Sequence, residues 1–221
     1  PSSAASDVYK RQMKTYPDAL PGQSYGLSEK TILSIYQDSD AQIWIGTDGG
    51  GINCFDPASH KFRHILSTWE DKVASITGMD KDHLLVSLFN KGLFIFNKKS
   101  NSYQPLVIVN DSINQELCQQ GKTVNIYQDT PETILMLSQW PYSYHIGKKQ
   151  FTPLSKGKGI KEIIGTLRRV GCHGETCYLH DREHIYRVNA RQKELELVYR
   201  ASKDTIFNSV SCDGQGLLWI G

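Results

Sequence analysis

Apolar and polar residues alternate over short stretches of this chain, and each stretch ends in residues that favour turns. Between residues 32 and 65 the segments IWIGT and INCFD lie on either side of a glycine-rich DGGG, and KFRHI follows after PASH. Branched and aromatic residues favour strands, and a period of two predicts a sheet with two different faces. Glycine allows the positive φ angles of tight turns. The pattern therefore predicts four short strands joined by tight turns.

The same pattern recurs along the chain. Residues 76–97 align with residues 35–56 without a gap, 41 positions later, and the tetrapeptide IYQD returns at 126–129. A fourth copy begins near residue 167, and a fifth ends at residue 221 in LWIG, where the first copy has IWIG. The successive offsets are 41, 50, 42 and 42 residues. Such a period is typical of repeat architectures.

The number of strands in each repeat indicates which architecture this is. Four strands per period of about 42 residues are typical of a β-propeller blade, whereas a β-helix has shorter coils. A single small sheet cannot bury both of its faces, so it stacks on the next blade. We therefore predict an all-β fold, a partial β-propeller of about four and a half four-stranded blades. The repeats lie near residues 32–65, 73–106, 123–154, 162–199 and 206–221.

Equivalent positions of the repeats predict the core between blades and the turn chemistry. The predicted core position in the second strand is occupied by Trp44, Leu85, Leu135 and Trp219. Burial of an aromatic side chain such as Trp44 contributes about 2 to 3 kcal/mol. An aspartate recurs at the end of the first strand, as Asp38, Asp129 and Asp213, which indicates a turn role. The polar segment 111–120, in the longest interval, is predicted to be a single helical turn or a loop.

Composition and motifs exclude several functions. The 25 basic residues nearly balance the 23 acidic ones and form no large cluster, so the sequence predicts no nucleic-acid contact. No apolar run approaches the roughly 20 residues of a membrane-spanning helix. The sequence lacks G-x-S-x-G, H-E-x-x-H and a phosphate-binding glycine loop, because DGGG joins two strands and opens no helix. We predict no catalytic residues, no cofactor and no metal.

The five cysteines include one close pair, Cys172 and Cys177, in GCHGETC. Three interpretations remain open, of which a small core residue plus a turn residue is favoured. A cross-turn disulfide comes second. A zinc site with nearby histidines comes last, because zinc sites usually have two well-spaced ligand pairs.

The two ends of the chain differ from the repeats. Residues 7–12 read DVYKRQ, the translation of GATGTGTATAAGAGACAG, a transposon end used to fragment DNA for sequencing. We therefore interpret residues 1–12 as a non-native leader and residues 13–221 as an incomplete propeller from a longer protein.

The best-preserved repeat also resembles a known family. Residues 32–56, with IYQDSD, IWIGTDGGG and INCFD, are similar to the two-component regulator propeller repeat. The fifth copy matches in part through Asp213 and LWIG, and the middle three are degenerate. Where Trp140 and Arg182 replace glycines, the turn geometry is expected to differ from that of the family.

The resemblance implies a role in signalling. Such repeats build the extracytoplasmic sensor region of hybrid two-component histidine kinases of Bacteroidetes, with paired seven-bladed propellers, many of which sense oligosaccharides. It implies a periplasmic location in an inner-membrane protein and an oligosaccharide ligand. It also implies contacts with neighbouring blades and a second propeller, a homodimer in the full-length protein, and a membrane reached only through a downstream helix. A histidine kinase is expected downstream and no enzyme in this part.

A candidate ligand site follows from comparing the turns between the second and third strands. Residues there vary among the copies, and equivalent turns of successive blades lie on one face, where propellers place function. Trp140, Tyr142 and Tyr144 offer aromatic faces for a sugar ring. Packing is the simpler interpretation of Tyr144, which aligns inside the third strand, and of Trp140. The predicted ligand-binding residues are Asp48, Asn90, Gln139, Trp140, Tyr142, Asp181 and Arg182.

Two alternatives to a sensor remain open. One is a structural or protein-interaction propeller without a small ligand. The other, less favoured, is a propeller lyase or glycan-active enzyme. The gene beyond Gly221 discriminates them, because a transmembrane segment and a kinase indicate the sensor, an early stop codon favours the scaffold, and a cluster of His and Glu on one face favours the enzyme.

Overall fold

The first two repeats each form an antiparallel sheet of four strands, paired in chain order. The first sheet contains β1 (Ile32–Gln37), β2 (Ile43–Thr47), β3 (Ile52–Asp56) and β4 (Lys61–Ile65). The second sheet contains β5 (Val73–Gly78), β6 (His83–Leu88), β7 (Gly92–Asn97) and β8 (Ser102–Pro105). Tight turns join successive strands within each sheet.

The third and fourth repeats form two more sheets, and the fifth is a two-stranded start of another. The third sheet contains β9 (Asn125–Thr130), β10 (Thr133–Leu137), β11 (Pro141–His145) and β12 (Gln150–Pro153). The fourth contains β13 (Ser155–Lys156), β14 (Arg168–His173), β15 (Thr176–His180), β16 (His184–Asn189) and β17 (Glu194–Arg200), with β13 added in parallel to β17. The fifth contains β18 (Val210–Cys212) and β19 (Leu218–Ile220).

These strands come from a computed structural model of the chain. It describes residues 26–65, 72–108, 113, 117, 124–138, 140–157, 160, 163, 167–173, 176–189, 193–202 and 205–221. Ile113 and Leu117 are helical, and Leu117 is buried in the core between the second and third sheets. The rest of the described chain is strands and turns, so the predicted all-β partial propeller is confirmed.

Alternation along the second strand of each sheet builds the core between blades. Successive side chains of a strand point to opposite faces. Trp44 therefore packs toward the second sheet, edge-to-face with Phe96 at 5.7 Å between ring centroids. In the next sheet Leu84 and Val86 face back to the first sheet, while Leu85 faces the third. Each sheet thus hides one face against each neighbour, as the repeat predicts.

One predicted core residue is not buried. Trp44, Leu85 and Leu135 are at most 3% exposed, but Trp219 is 63% exposed. The prediction for Trp219 is therefore wrong in this chain. The physical reason is that no other sheet of the described residues packs on Trp219, so the tryptophan is present at this position but is not buried.

The recurring aspartate closes the turn between the first and second strands. The Asp38 carboxylate accepts hydrogen bonds from the backbone N–H groups of Asp40 and Gln42, both at 3.0 Å, and from Trp44 Nε1 at 2.8 Å. Asp213 makes the same three bonds in the fifth repeat, with Trp219 Nε1 at 3.0 Å. An aspartate followed six residues later by a tryptophan therefore bonds both to the turn backbone and to the indole N–H, an arrangement that we call the Asp–Trp pin. The predicted turn role is confirmed for Asp38 and Asp213.

A lysine of the second blade is a further donor to the Asp38 carboxylate. Lys98 Nζ lies 3.1 Å from the carboxylate, and both side chains are largely buried. Burial acts to raise the pKa of Asp38, but the hydrogen bonds from Trp44 and Lys98 outweigh it and hold that pKa below its usual value. The pin thus also links two blades.

Polar residues at one position of the first strands connect adjacent blades along the centre. Ser34 Oγ donates to Val73 O at 3.4 Å, and Asn125 Nδ2 donates to Leu167 O at 3.3 Å. At the equivalent position of the second blade, Ser75 Oγ donates to the carbonyl oxygen of Ile126 at 3.2 Å and accepts from the Ile126 N–H at 3.1 Å. The first strands cannot form a continuous sheet with each other, so these side chains satisfy backbone groups that lie between blades.

Gly46, the glycine of IWIGT, is required by the same close approach. A Cβ atom added there would lie 2.7 Å from both Val73 Cγ1 and Val73 O, and closer still to Ser34 Oγ. A larger residue would therefore push the first two blades apart.

Replacing Ser75 with alanine is expected to lower the free energy of unfolding by about 1 to 3 kcal/mol, because the two Ile126 backbone groups lose their partner in a buried place. Equilibrium urea unfolding followed by far-UV circular dichroism measures this. Ser87→Ala is the matched control, since Ser87 is also buried and its Oγ has no hydrogen-bond partner within the described residues. That change is expected to be neutral or stabilising. Equal losses in the two variants would show that the Ser75 bonds do not hold the blades together.

Candidate functional site

The turns between the second and third strands lie at the same end of the blades as the segments that lead into the first strands. The Asp48 N–H donates to Thr31 O at 3.0 Å, and the Phe89 N–H donates to Lys72 O at 2.9 Å. In the fourth blade the Phe207 N–H donates to Arg182 O at 2.8 Å. We call this end the turn face, formed by residues 48–51, 89–91, 138, 140 and 181–183. Six of the seven sequence-predicted ligand residues belong to it or to the strand that follows. The seventh, Gln139, lies outside the described residues.

Asp48 and Asn90 have structural partners on this face. Asp48 accepts an ion pair from Lys72 at 2.9 Å, and its side chain is partly exposed. Asn90 has a φ of 64°, at the position where the first blade has Gly49 with a φ of 97°. Asparagine tolerates the left-handed region better than most residues. The first two turns therefore keep the same backbone shape.

Trp140 and Tyr142 contribute to packing in the third blade. Trp140 Nε1 donates to Leu154 O at 2.8 Å, and its ring packs against the cores on both sides of this blade. Lys156 Nζ lies 5.9 Å from the centroid of the same ring. Tyr142 is buried in the core shared with the second blade, as is Tyr144. Trp140 is not among the residues with positive φ, so this turn departs from that of the first blade.

Asp181 is buried and accepts several hydrogen bonds. Its carboxylate accepts from the N–H groups of Glu183 at 2.8 Å and His184 at 2.7 Å, and from Tyr186 Oη at 2.7 Å. Burial and this hydrogen bond raise the pKa of Tyr186. The adjacent Arg182 is exposed and does not have a positive φ. That these residues bind a ligand stays a prediction, with Asn90 and Arg182 the exposed ones of those described.

A second concave region, which the sequence did not predict, is the central channel lined by the first strands. Two adjoining cavities of about 610 and 420 Å3 share the residues Leu33, Asn125, Tyr127 and Arg169 in their walls. The larger one is also lined by Arg168, His180, Asn208, Ser209 and Val210. Strands from all five repeats thus converge on these two cavities.

Arg169 is positioned in this channel by an aromatic neighbour. Its guanidinium carbon lies 5.7 Å from the ring centroid of Tyr127. Burial raises the pKa of Tyr127, and the Arg169 charge partly offsets that effect. Burial likewise raises the pKa of Asp129 while Arg169 opposes the shift. The ladder between β14 and β15 shifts register between Arg169 and Gly171, and such a bulge redirects side chains next to it.

The other channel groups are polar donors and acceptors. His180 is buried, and its Nδ1 donates to Asp181 O at 2.8 Å, since a carbonyl oxygen can only accept. Asn125, Asn208 and Ser209 add amide and hydroxyl groups to the wall. The signal that could have found this site is the consecutive pair Arg168 and Arg169 in a first strand, at positions where the earlier copies have uncharged residues.

Cys177, one of the two closely spaced cysteines, does not have the role that the sequence favoured. Cys177 is disulfide-bonded, which contradicts the favoured interpretation of a core residue and a turn residue. Cys172 lies directly opposite it in the β14–β15 ladder. No group of three His, Cys, Asp or Glu residues suited to a metal ion occurs among the described residues.

Comparisons with known proteins point to one family and one fold. The profile of the family described as "Two component regulator propeller" matches residues 26–49. A search of curated proteins gave no match. In the part of the chain that the structure describes, no helix is long and apolar enough to cross a membrane.

Solved structures with a similar fold include extracellular domains of signalling proteins. One, from a hybrid two-component system of B. thetaiotaomicron, aligns with a TM-score of 0.70 at 15% identity over 97% of this chain and 28% of that chain. A second domain from that organism gives 0.65 at 19% identity, over 91% and 28%. An auxiliary nutrient binding protein from Bacteroides ovatus gives 0.61 at 11% identity, over 87% and 58%. This chain spans less than a third of the first two structures, and at these identities the likeness shows the propeller fold.

Proposed function

The chain carries a repeat of the two-component regulator propeller family at residues 26–49, and on that premise we propose that it is part of the extracytoplasmic sensor of a membrane-bound hybrid two-component regulator. The ligand in this proposal is an oligosaccharide. The kinase and the membrane-spanning helix lie elsewhere in the full-length protein. The location is the periplasm.

The observation that carries the proposal is the family repeat in its folded form. Asp38 pins Trp44 beneath the turn that the family motif encodes, and Asp213 does the same with Trp219. The similar fold of extracellular domains from two-component systems adds support. The disulfide at Cys177 also supports an extracytoplasmic location, because disulfides persist in oxidising compartments.

The fold suggests how binding is transmitted. A ligand in the channel or on the turn face touches several blades at once, and it favours the arrangement of blades that it binds best. A propeller in a homodimer, packed on a second propeller, passes such a change to the downstream domains as a shift in packing. This mechanism needs no catalytic residue in the chain.

Binding of an oligosaccharide is tested by isothermal titration calorimetry and thermal unfolding of the 221-residue chain with a panel of neutral and acidic oligosaccharides. A ligand at about 100 times its Kd is expected to stabilise the fold by about 2.7 kcal/mol and to raise Tm. Lactate and free amino acids serve as unrelated controls. No heat and no shift with any sugar would overturn the proposed ligand class and favour a scaffold. Sequencing the gene past Gly221 tests the proposal that the chain is part of a two-component regulator. The proposal predicts a transmembrane segment followed by a kinase.

A further inference from the structure

The charge of the central channel is one-sided. The larger cavity, of about 610 Å3, has two arginines in its wall, Arg168 and Arg169, and none of its described lining residues is acidic. The smaller cavity, of about 420 Å3, shares Arg169 and also has no acidic residue in its described wall. A concave surface lined by one sign of charge concentrates ligands of the opposite sign.

The two arginines are presented differently. Arg169 lies against the ring of Tyr127, which restricts its side chain. Arg168 is the first residue of β14 and is exposed to the channel. A guanidinium binds a carboxylate or a sulfate through two parallel N–H bonds, with more geometric specificity than an ammonium group.

The remaining wall suits a polyhydroxylated ligand. The amides of Asn125 and Asn208 and the hydroxyl of Ser209 can donate to and accept from sugar hydroxyls. Tyr127 and Leu33 provide apolar surface on which a ring can pack. The volume is within the roughly 300 to 1,000 Å3 of ligand pockets in general.

We propose that the central channel binds an acidic oligosaccharide, whose carboxylate or sulfate groups are held by Arg168 and Arg169. This inference rests on the proposed function as an oligosaccharide sensor and narrows its ligand to an anionic class. It places the ligand on the first strands of several blades, at the point where Ser75, Asn125 and their equivalents join those blades. Binding there acts directly on the contacts between blades.

The test uses calorimetry of the whole chain with three probes: trigalacturonate, a chondroitin sulfate tetrasaccharide, and the neutral sugar maltotriose. At least one acidic probe is expected to bind, with an affinity that falls as NaCl rises from about 50 to 200 mM. Arg168→Gln and Arg169→Gln are each expected to weaken that binding by roughly tenfold or more, since each removes a charged donor. Arg200→Gln is the matched control, because Arg200 is an exposed arginine at the end of β17 and lines neither cavity. This substitution is expected to leave the affinity unchanged. Circular dichroism of each variant checks that the fold is kept.

The outcomes separate this inference from the function it rests on. Loss of acidic-probe binding in the two channel variants, with the control unaffected, supports both. Binding of maltotriose without either acidic probe overturns the acidic class and leaves the oligosaccharide sensor standing. If an acidic probe binds Arg168→Gln and Arg169→Gln with unchanged affinity, the channel is not the site. A loss of that affinity in Arg182→Gln would then place the site on the turn face. Binding of none of the three, with none in the wider panel, overturns the proposed ligand altogether. Binding of inorganic sulfate with the same affinity as the acidic sugars reduces the site to a simple anion site and also overturns the inference.

Discussion

Replacing Trp44 with alanine is expected to lower the free energy of unfolding by about 3 to 5 kcal/mol. Trp44 is 1% exposed, packs edge-to-face with Phe96 of the next blade, and donates its indole N–H to Asp38. The substitution leaves a cavity between the first two blades and removes one of the donors that hold the Asp38 carboxylate. Equilibrium urea unfolding followed by far-UV circular dichroism measures the loss, and a chain that is unfolded in buffer would be its extreme form.

Trp219→Ala is the matched control for this prediction. Trp219 occupies the same place in the repeat and bonds to Asp213 in the same way, but it is 63% exposed. Little apolar surface is returned to water on its removal, so we expect a loss of about 1 kcal/mol or less. Similar losses at both positions would mean that the local turn pin, and not the packing of blade on blade, provides the stability at Trp44.

Asp181→Ala is expected to cost about 3 to 5 kcal/mol. The Asp181 side chain is fully buried, and its carboxylate accepts from two backbone N–H groups and from Tyr186. His184 Nδ1 lies 3.2 Å from the same carboxylate. Alanine leaves these donors unsatisfied in the interior, where each missing partner is costly. Asp181→Asn keeps the shape and one acceptor oxygen and is expected to lose less.

Asp80→Ala provides the control with the same local motif. Asp80 accepts from the N–H groups of Asp82 and His83 and lies 2.9 Å from His83 Nδ1, as Asp181 does with Glu183 and His184. Its side chain is 51% exposed, so water replaces the lost bonds. We expect a loss of about 1 kcal/mol or less, measured by the same urea unfolding. If the free energy of unfolding falls as little for Asp181→Ala as for Asp80→Ala, Asp181 is not needed for stability. It would then remain a candidate ligand residue.

These two comparisons share a physical basis. The two members of each pair share the backbone N–H bonds of their turn, made by residues within six positions of each other, and differ in what covers them. Asp181 has in addition the bond from Tyr186. A turn motif therefore determines the local geometry, while packing against the neighbouring blade determines how much the motif contributes to the free energy of unfolding. The same distinction explains why a repeat can be degenerate in sequence and still fold, as the second turn does with Asn90 in the place of Gly49.

The candidate site was predictable in part. The comparison of turns identified the turn face, but it selected residues that vary, and variation alone does not separate ligand contacts from packing. Asp181 and Tyr142 vary between copies, yet both are buried. The channel residues could not be predicted in the same way, because Leu33, Tyr127 and Arg169 are far apart in the chain and belong to no common short motif.

The architecture follows from the amino-acid order alone: the period of about 42 residues, the four strands per repeat, the two apolar faces of each second strand, and the bond from aspartate to tryptophan. All of these depend on side-chain direction and on contacts within a few residues, which the order of amino acids encodes directly. Which of the equivalent tryptophans is buried, and which polar side chains meet in the channel, depends on the packing of the blades. Both depend on which blade lies beside which, because burial and charge at the centre arise from strands that are separated by 40 or more residues and meet only when the blades are packed.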